Sequence, residues 1–284
     1  MRNSKTHKKK KTKNLPFPGP EQCHPRVSSS HNGCIPNDIL VEVAQKLNIN
    51  SSRNDIENHL NIKKDNHRNE YSFVMALPFD DLKKKQLVKE YLRPKQPDDW
   101  KNDEDKWLNS LDIENVMNQY EEAYPNFEFM GPFPIDFAAP DPYNKNSEPK
   151  CLIQEICEIK TNIALQNGTQ YIGIIYNLDP HFKSGSHWVA VFIDLIKHKT
   201  YYFDSYGMEA PQQIQKFMKW LTTQDKDMKL FYNGRRFQYK NSECGMYSMY
   251  FIIRMLMGDD FKKFTKLAPP DSFMLNLRNW LFST

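Results

Sequence analysis

The chain has 284 residues, a formal net charge of +4, 39% hydrophobic residues, ten glycines and five cysteines, a size that accommodates one catalytic domain of about 180–190 residues plus an extension. Its longest apolar runs, 171–176 and 188–193, fall far short of the ~20 residues a membrane helix needs, so no membrane partner is expected. Residues 1–13 hold seven Lys or Arg and no acid, leaving 32 basic against 35 acidic groups in the rest, so basicity belongs to one segment and not to the fold.

Residues 1–33 combine Lys8, Lys9, Lys10 and Lys11 with Pro16, Pro18, Gly19, Pro20, Pro25 and a serine run at 28–30. Such a stretch buries little, and a disordered basic tail is expected. The four lysines suit salt-dependent, sequence-independent contact with DNA phosphates, a nuclear address or a solubilising end. No apolar stretch follows the positive charges, so the segment lacks the form of a secretory signal. An odd number of irregularly spaced cysteines argues against a disulfide framework and for a reducing compartment, cytosol or nucleus. Cys23, His24, His31 and Cys34 lack the paired short spacing of a zinc knuckle, and neither metal nor organic cofactor is expected.

From Pro36 the pattern turns helical, with Ile39, Val43 and Leu47 four apart. Further helices are expected at 52–60 and 80–92, the last stopped by Pro94. Residues 34–95 thus read as a helical arm and 96–284 as the main domain. The domain opens with a helix over 103–124 carrying Trp107, Leu108, Leu111, Val116, Met117 and Tyr120 and ended by Pro125. An aromatic, proline-rich connection runs through Gly131-Pro132-Phe133-Pro134 to Pro149, and a short helix covers 151–161.

A buried strand is predicted at 171–176, then a β-hairpin from strands 188–194 and 200–203. A helix follows at 211–221, with Pro211 in its first turn and Ile214, Phe217, Met218 and Leu221 inward. The remaining elements are a strand at 228–232, a strongly apolar helix at 244–257 and a helix at 271–281.

The chemistry-bearing residues fall at junctions of these elements. A thiol with an ordinary pKa near 8.5 needs a partner base or a helix dipole to act as a nucleophile at neutral pH. Cys244 opens a helix, where the dipole favours thiolate. His187 begins one hairpin strand and Asp204 ends the other, which places their side chains next to each other across an antiparallel pair. Asp204 then orients His187, His187 exchanges a proton with Cys244, and Gln238, on an irregular loop, offers an amide donor to a developing oxyanion. His181, in the same loop as His187, is a competing base.

The ordered set His187-Trp188, Asp204, Gln238 and Cys244-Gly245 resembles the motif series of the ubiquitin-like-protein-specific and adenovirus-type cysteine proteases. Trp107-Leu108-Asn109-Ser110, with Ile113, Glu114, Met117 and Tyr120, resembles that family's opening Trp-Leu-Asn-Asp helix. Ser110 stands where the family usually has Asp, and Glu243 where Asp commonly precedes the cysteine. The resemblance covers about residues 100–260. It implies an α+β, papain-like core with a central mixed sheet flanked by helices. Trp107 and Trp188 would line a channel admitting glycine-like residues, implying cleavage after Gly-Gly or Gly-X-Gly; for both tryptophans the plain alternative is core packing.

The arm does not match the eukaryotic SUMO-protease pattern, and the connection over 127–137 resembles that of the proteases of large DNA viruses. The leading expectation is therefore a maturation protease that processes viral structural polyproteins, in the virion and at the assembly site in the host cytoplasm. The competing readings are an isopeptidase acting on ubiquitin-like conjugates, an acyltransferase with a related His, acid and Cys set, and a DNA-binding structural protein without activity.

Overall fold

The stretch 188–194 is buried at every position, a pattern that suits a strand covered on both faces. In the computed structural model, which describes residues 15–28, 33–62, 69–142, 144 and 150–284, this stretch is the central strand of a five-stranded mixed sheet. The strands are β1 (Phe127–Pro134), β2 (Tyr171–Asn177), β3 (Trp188–Asp194), β4 (Lys199–Phe203) and β5 (Lys229–Tyr232), and they lie in sequence order. The pairs β1–β2 and β4–β5 are parallel, whereas β2–β3 and β3–β4 are antiparallel.

Alternation along the strands divides the core in two. Ala190 and Phe192 face one side with Phe203 and Ile175, against α5 (Ser110–Ala123), α9 (Cys244–Leu256) and α11 (Asp271–Leu281). Val189, Val191 and Ile193 face the other, against Ile214, Phe217, Met218 and Leu221 of α8 (Gln212–Gln224). Helix α9 is apolar on nearly all sides, as a helix enclosed by core must be, and Arg254 leaves it to pair with Asp259 at 2.7 Å. Gly173 admits α9 close to the sheet, since a Cβ there would lie 2.8 Å from Ile252 Cγ2 and 2.9 Å from the Phe127 ring.

Several sequence expectations need correction. β1 occupies what reads as a proline-rich connection. Proline at 132 lacks an N–H but is tolerated because β1 is an edge strand, and the pairing shifts register between Met130 and Phe133, where Gly131 takes φ +106°. The helix predicted from 103 starts at Ser110, because Asn109 and Asp112 form a reciprocal capping box at 3.0 and 2.9 Å. The helix predicted over 151–161 is only the single turn α6 (Gln154–Cys157). Three α-helices had no matching sequence expectation, α3 (Glu70–Ala76), α7 (Thr161–Gln166) and α10 (Phe261–Leu267).

The arm contains α1 (Asn37–Leu47), α2 (Arg53–His59), α3 and α4 (Asp81–Tyr91) around a third core with Leu40, Val43, Ile56, Phe73, Leu87 and Leu92. The tail expected over 1–33 is placed over 15–28 and packed. Phe17 stacks on Trp280 with ring centroids 4.0 Å apart, the carbonyl of Gly19 accepts Trp280 Nε1 at 2.7 Å, and that of Pro16 accepts the Tyr250 hydroxyl at 2.7 Å. Its backbone carbonyls satisfy donors that α9 and α11 would otherwise leave unpaired. Four of the five cysteines, expected free, pair as Cys23–Cys34 and Cys151–Cys157, with Cα separations of 5.1 and 6.5 Å, leaving Cys244 as the free thiol. Irregular spacing concealed this because pairing depends on Cα proximity created by the fold. Among the described residues no helix is long and apolar enough to cross a membrane.

Candidate active site

Three junctions of the sheet converge at one end of β3 and β4. The first is the loop that delivers His187. It closes over the Asn177 side chain, whose Oδ1 accepts the Asp179 and Ser186 amides at 2.9 and 3.2 Å, while the Leu178 amide donates to the His187 carbonyl at 2.9 Å. Gly185 has φ +96°, and a Cβ on it would sit 2.5 Å from Asn177 Nδ2, so the turn demands glycine.

The second junction follows β4. Asp204 is 1% exposed, and its Oδ1 accepts His187 Nε2 at 2.7 Å and the Tyr206 amide at 2.8 Å. Oδ2 accepts the Met208 amide at 3.3 Å. Its backbone is clamped by Asn233, which accepts from the Asp204 amide at 2.9 Å and donates to its carbonyl at 2.7 Å. Parallel pairing of β4 with β5 brings Asn233 there, a role with no signal in the sequence.

The third junction is the start of α9. Nε2 of His187 is taken by Asp204, and Cys244 acts on the imidazole electrostatically. Burial acts to lower the His187 pKa, but the Asp204 hydrogen bond and the interactions with Cys244 and Asp204 outweigh it and push it up to about 9. Such a histidine is an imidazolium at neutral pH, the state that stabilises a thiolate opposite it. Tyr206 stacks on the imidazole with centroids 4.7 Å apart, and the Arg236 guanidinium lies 5.2 Å from the Tyr206 centroid.

Gln238 is fully buried next to this group. Its Oε1 accepts the Ser205 hydroxyl at 2.6 Å, and Nε2 donates to the Lys240 carbonyl at 2.7 Å. The amide carries a second hydrogen that these contacts do not use. No hydrogen bond joins Gln238 to Cys244 among the described residues. His181, the competing base, is instead engaged by Asp136, with Nδ1 2.7 Å from Oδ2.

Trp107 and Trp188 line one cleft of about 470 Å³, together with Leu108, Pro132, Asn177 and His181. Trp107 is 46% exposed, which removes core packing as its role, whereas Trp188 is 6% exposed. The Trp188 indole donates to the Leu108 carbonyl at 3.0 Å. Leu108 in turn packs on the residue after Cys244: a Cβ at Gly245 would meet Leu108 Cδ1 at 2.9 Å and Trp188 Cδ1 at 3.3 Å. The cleft wall and the start of α9 are therefore in direct contact. Lys8, Lys9, Lys10 and Lys11 lie outside the described residues.

A further ion pair adjoins the site without any sequence signal. Glu243 and Arg278, 35 residues apart, hydrogen-bond at 2.8, 3.2 and 3.2 Å with side chains only 2% and 3% exposed. Burial raises the Glu243 pKa, and the Arg278 hydrogen bonds and charge oppose that shift.

Residues 158–280 match the model of the Ulp1 protease family, C-terminal catalytic domain. Among similar proteins, one of Acanthamoeba polyphaga mimivirus, named a thiol protease, is 37% identical over 163 residues, which is 55% of this chain and 49% of that protein. The match thus spans about half of that relative's length. A cysteine protease of African swine fever virus (isolate Tick/Malawi/Lil 20-1/1983) is 25% identical over 186 residues, covering 62% of this chain and 67% of the relative; the protein from another isolate is named a SUMO-1 cysteine protease. The crystal structure of an African swine fever virus protease superposes with a TM-score of 0.66 at 18% identity, over 93% of this chain and 96% of that one. That likeness establishes the α+β fold and extends beyond the catalytic domain into the arm.

Proposed function

We propose that this chain, whose residues 158–280 match the Ulp1-type protease domain, is a cysteine endopeptidase cleaving after Gly-Gly or Gly-X-Gly, with structural polyproteins of a large DNA virus as substrates. The observation that carries this reading is the imidazole of His187, hydrogen-bonded to Asp204 at 2.7 Å and interacting electrostatically with Cys244, the free cysteine at the start of α9. In this reading Cys244 Sγ, as thiolate, attacks the carbonyl carbon of the scissile bond. The free amide hydrogen of Gln238 meets the negative charge that develops on the carbonyl oxygen. His187 gives its proton to the leaving amine, and the acyl group remains on sulfur as a thioester. Water then attacks, returning a proton to His187 and releasing the carboxylate product. Asp204 is a positioning residue that holds the ring and favours its charged form.

The glycine-type specificity rests on the family resemblance of Trp107 and Trp188, which both line the cleft, Trp188 being held to Leu108 by its indole hydrogen bond. The same chemistry would serve a second reading, hydrolysis of the amide that joins a ubiquitin-like modifier to its target, which the Ulp1-type match favours. Fluorogenic peptides ending in Gly-Gly or Gly-X-Gly, set against a modifier conjugate, separate the two. We expect cleavage of the extended peptides, abolished by Cys244→Ala and by His187→Ala. Exclusive cleavage of the conjugate would transfer the assignment to the second reading. Equal turnover by wild type and Cys244→Ala would sink both.

A further inference from the structure

Arg278 sits on α11, far in sequence from every residue of the proposed chemistry, yet it touches two parts of the site at once. Its guanidinium hydrogen-bonds Glu243, the residue immediately before the Cys244 nucleophile, and its Nη2 also donates to the carbonyl of Lys106 at 2.6 Å, immediately before Trp107. The face of the guanidinium lies 4.4 Å from the centroid of Trp100. The side chain is buried, and its fork is the only side-chain type with enough fixed donors to grip a carboxylate and a carbonyl together.

The surroundings convert this grip into geometry. Glu243 is the residue at the N-terminal boundary of α9 and, among the described residues, makes no side-chain hydrogen bond to the helix's own amides. Its carboxylate is instead committed to Arg278, so the orientation of the first turn, and with it Cys244, is referred to α11. On the other side, 106–109 is pinned at three successive points: Lys106 by Arg278, Leu108 by the Trp188 indole and Asn109 by its cap on α5. Trp107 projects from between the first two pins, and it is 46% exposed on the cleft.

We infer that Arg278 is a positioning residue that sets the nucleophile and the Trp107 wall of the substrate cleft in one register, with Glu243 as its link to Cys244. The inference rests on the cysteine-protease reading. It separates two effects that a plain stabilising ion pair would not. Loss of the Glu243 contact alone disturbs the sulfur and leaves the wall in place, whereas loss of the fork disturbs both.

The test compares full-length Glu243→Gln, Arg278→Lys and the double variant Glu243→Gln/Arg278→Met, the last leaving no buried charge unpaired if the single variants misfold. Two quantities are read for each: kcat and KM on a Gly-Gly fluorogenic peptide, and the rate of Cys244 alkylation by iodoacetamide at neutral pH. For Glu243→Gln the expectation is a kcat reduced about tenfold or more at an unchanged KM, with alkylation slowed. Arg278→Lys and the double variant are expected to lose kcat to a similar extent and also to raise KM. Folded variants that keep wild-type kcat, KM and alkylation rate overturn the inference, as do losses that merely track the folded fraction. A wild-type protein that alkylates at Cys244 yet cuts no peptide would sink the protease reading, and the alkylation rates would still decide the role of Arg278.

Discussion

The Trp188 indole nitrogen donates a hydrogen bond to the Leu108 carbonyl at 3.0 Å across 80 residues of sequence. This bond fastens the loop before α5 to the first residue of β3, one position from His187. Replacing Trp188 by Phe keeps an aromatic face and removes the donor, leaving a buried carbonyl unpaired at a cost of about 1–3 kcal/mol. The expected outcome is a lowered urea midpoint together with a raised KM, kcat being affected less. A variant with wild-type stability and KM would show that the bond does not shape the cleft.

The charge state of His187 dictates the alkaline side of the pH profile. Its pKa is raised to about 9 by Asp204 and Cys244 acting against burial, so kcat/KM should fall as pH rises through about 9, where the imidazolium is lost. The same shift contributes to folding stability fully below the ordinary imidazole pKa of about 6.5 and fades as pH rises through the folded value. Asp204→Asn removes the carboxylate charge, and the alkaline limb is expected to move to lower pH. A limb that stays put in Asp204→Asn would mean that another group titrates there.

Gln238 holds its loop and offers a donor, and two substitutions distinguish these tasks. Gln238→Ala should reduce kcat on the order of a hundredfold or more, the usual consequence of losing an oxyanion donor. Ser205→Ala removes the 2.6 Å contact to Oε1 but leaves the amide, and should cost far less kcat. Comparable losses in steady-state kinetics for both would assign Gln238 a purely structural role.

Gly245→Ala inserts a Cβ against Leu108 Cδ1 at 2.9 Å and Trp188 Cδ1 at 3.3 Å, pushing the cleft wall away from Cys244. It should destabilise by about 1–3 kcal/mol and raise KM. Gly173→Ala meets Ile252 and Phe127 at similar distances, away from the cleft, and should lower stability while leaving kcat/KM of the folded protein intact. If both variants lose stability alone, the Gly245 contact has no part in substrate binding.

The elements with strong local patterns could be read directly from the sequence. Strand β3 is a run of apolar residues joined to β4 by a short connection, and α11 has inward residues at helical spacing, so sequence alone located their bounds closely. The side-by-side arrangement of His187 and Asp204 was also legible, because hairpin pairing is local and converts strand ends into neighbours. Strand β1 was not, since Gly131 and Pro132 mimic a connection, and only a parallel partner 44 residues away, with Phe127 opposite Tyr171, turns them into an edge strand.

What the sequence determined on its own is the local placement of three side chains, a thiol at a helix start, an imidazole before a strand and a carboxylate after its neighbour, each fixed by short-range periodicity. What only the tertiary structure decided is everything that depends on contacts distant in the chain. The pairing of Cys23 with Cys34, the seat of residues 15–28 on α9 and α11, the clamp of Asn233 on Asp204 and the bridge from Arg278 to Glu243 and Lys106 all fall in this class. Hydrogen bonds and ion pairs of this kind acquire their partners only when the core brings separate elements together, and side chains as ordinary as one arginine in a helix carry no mark of that role beforehand.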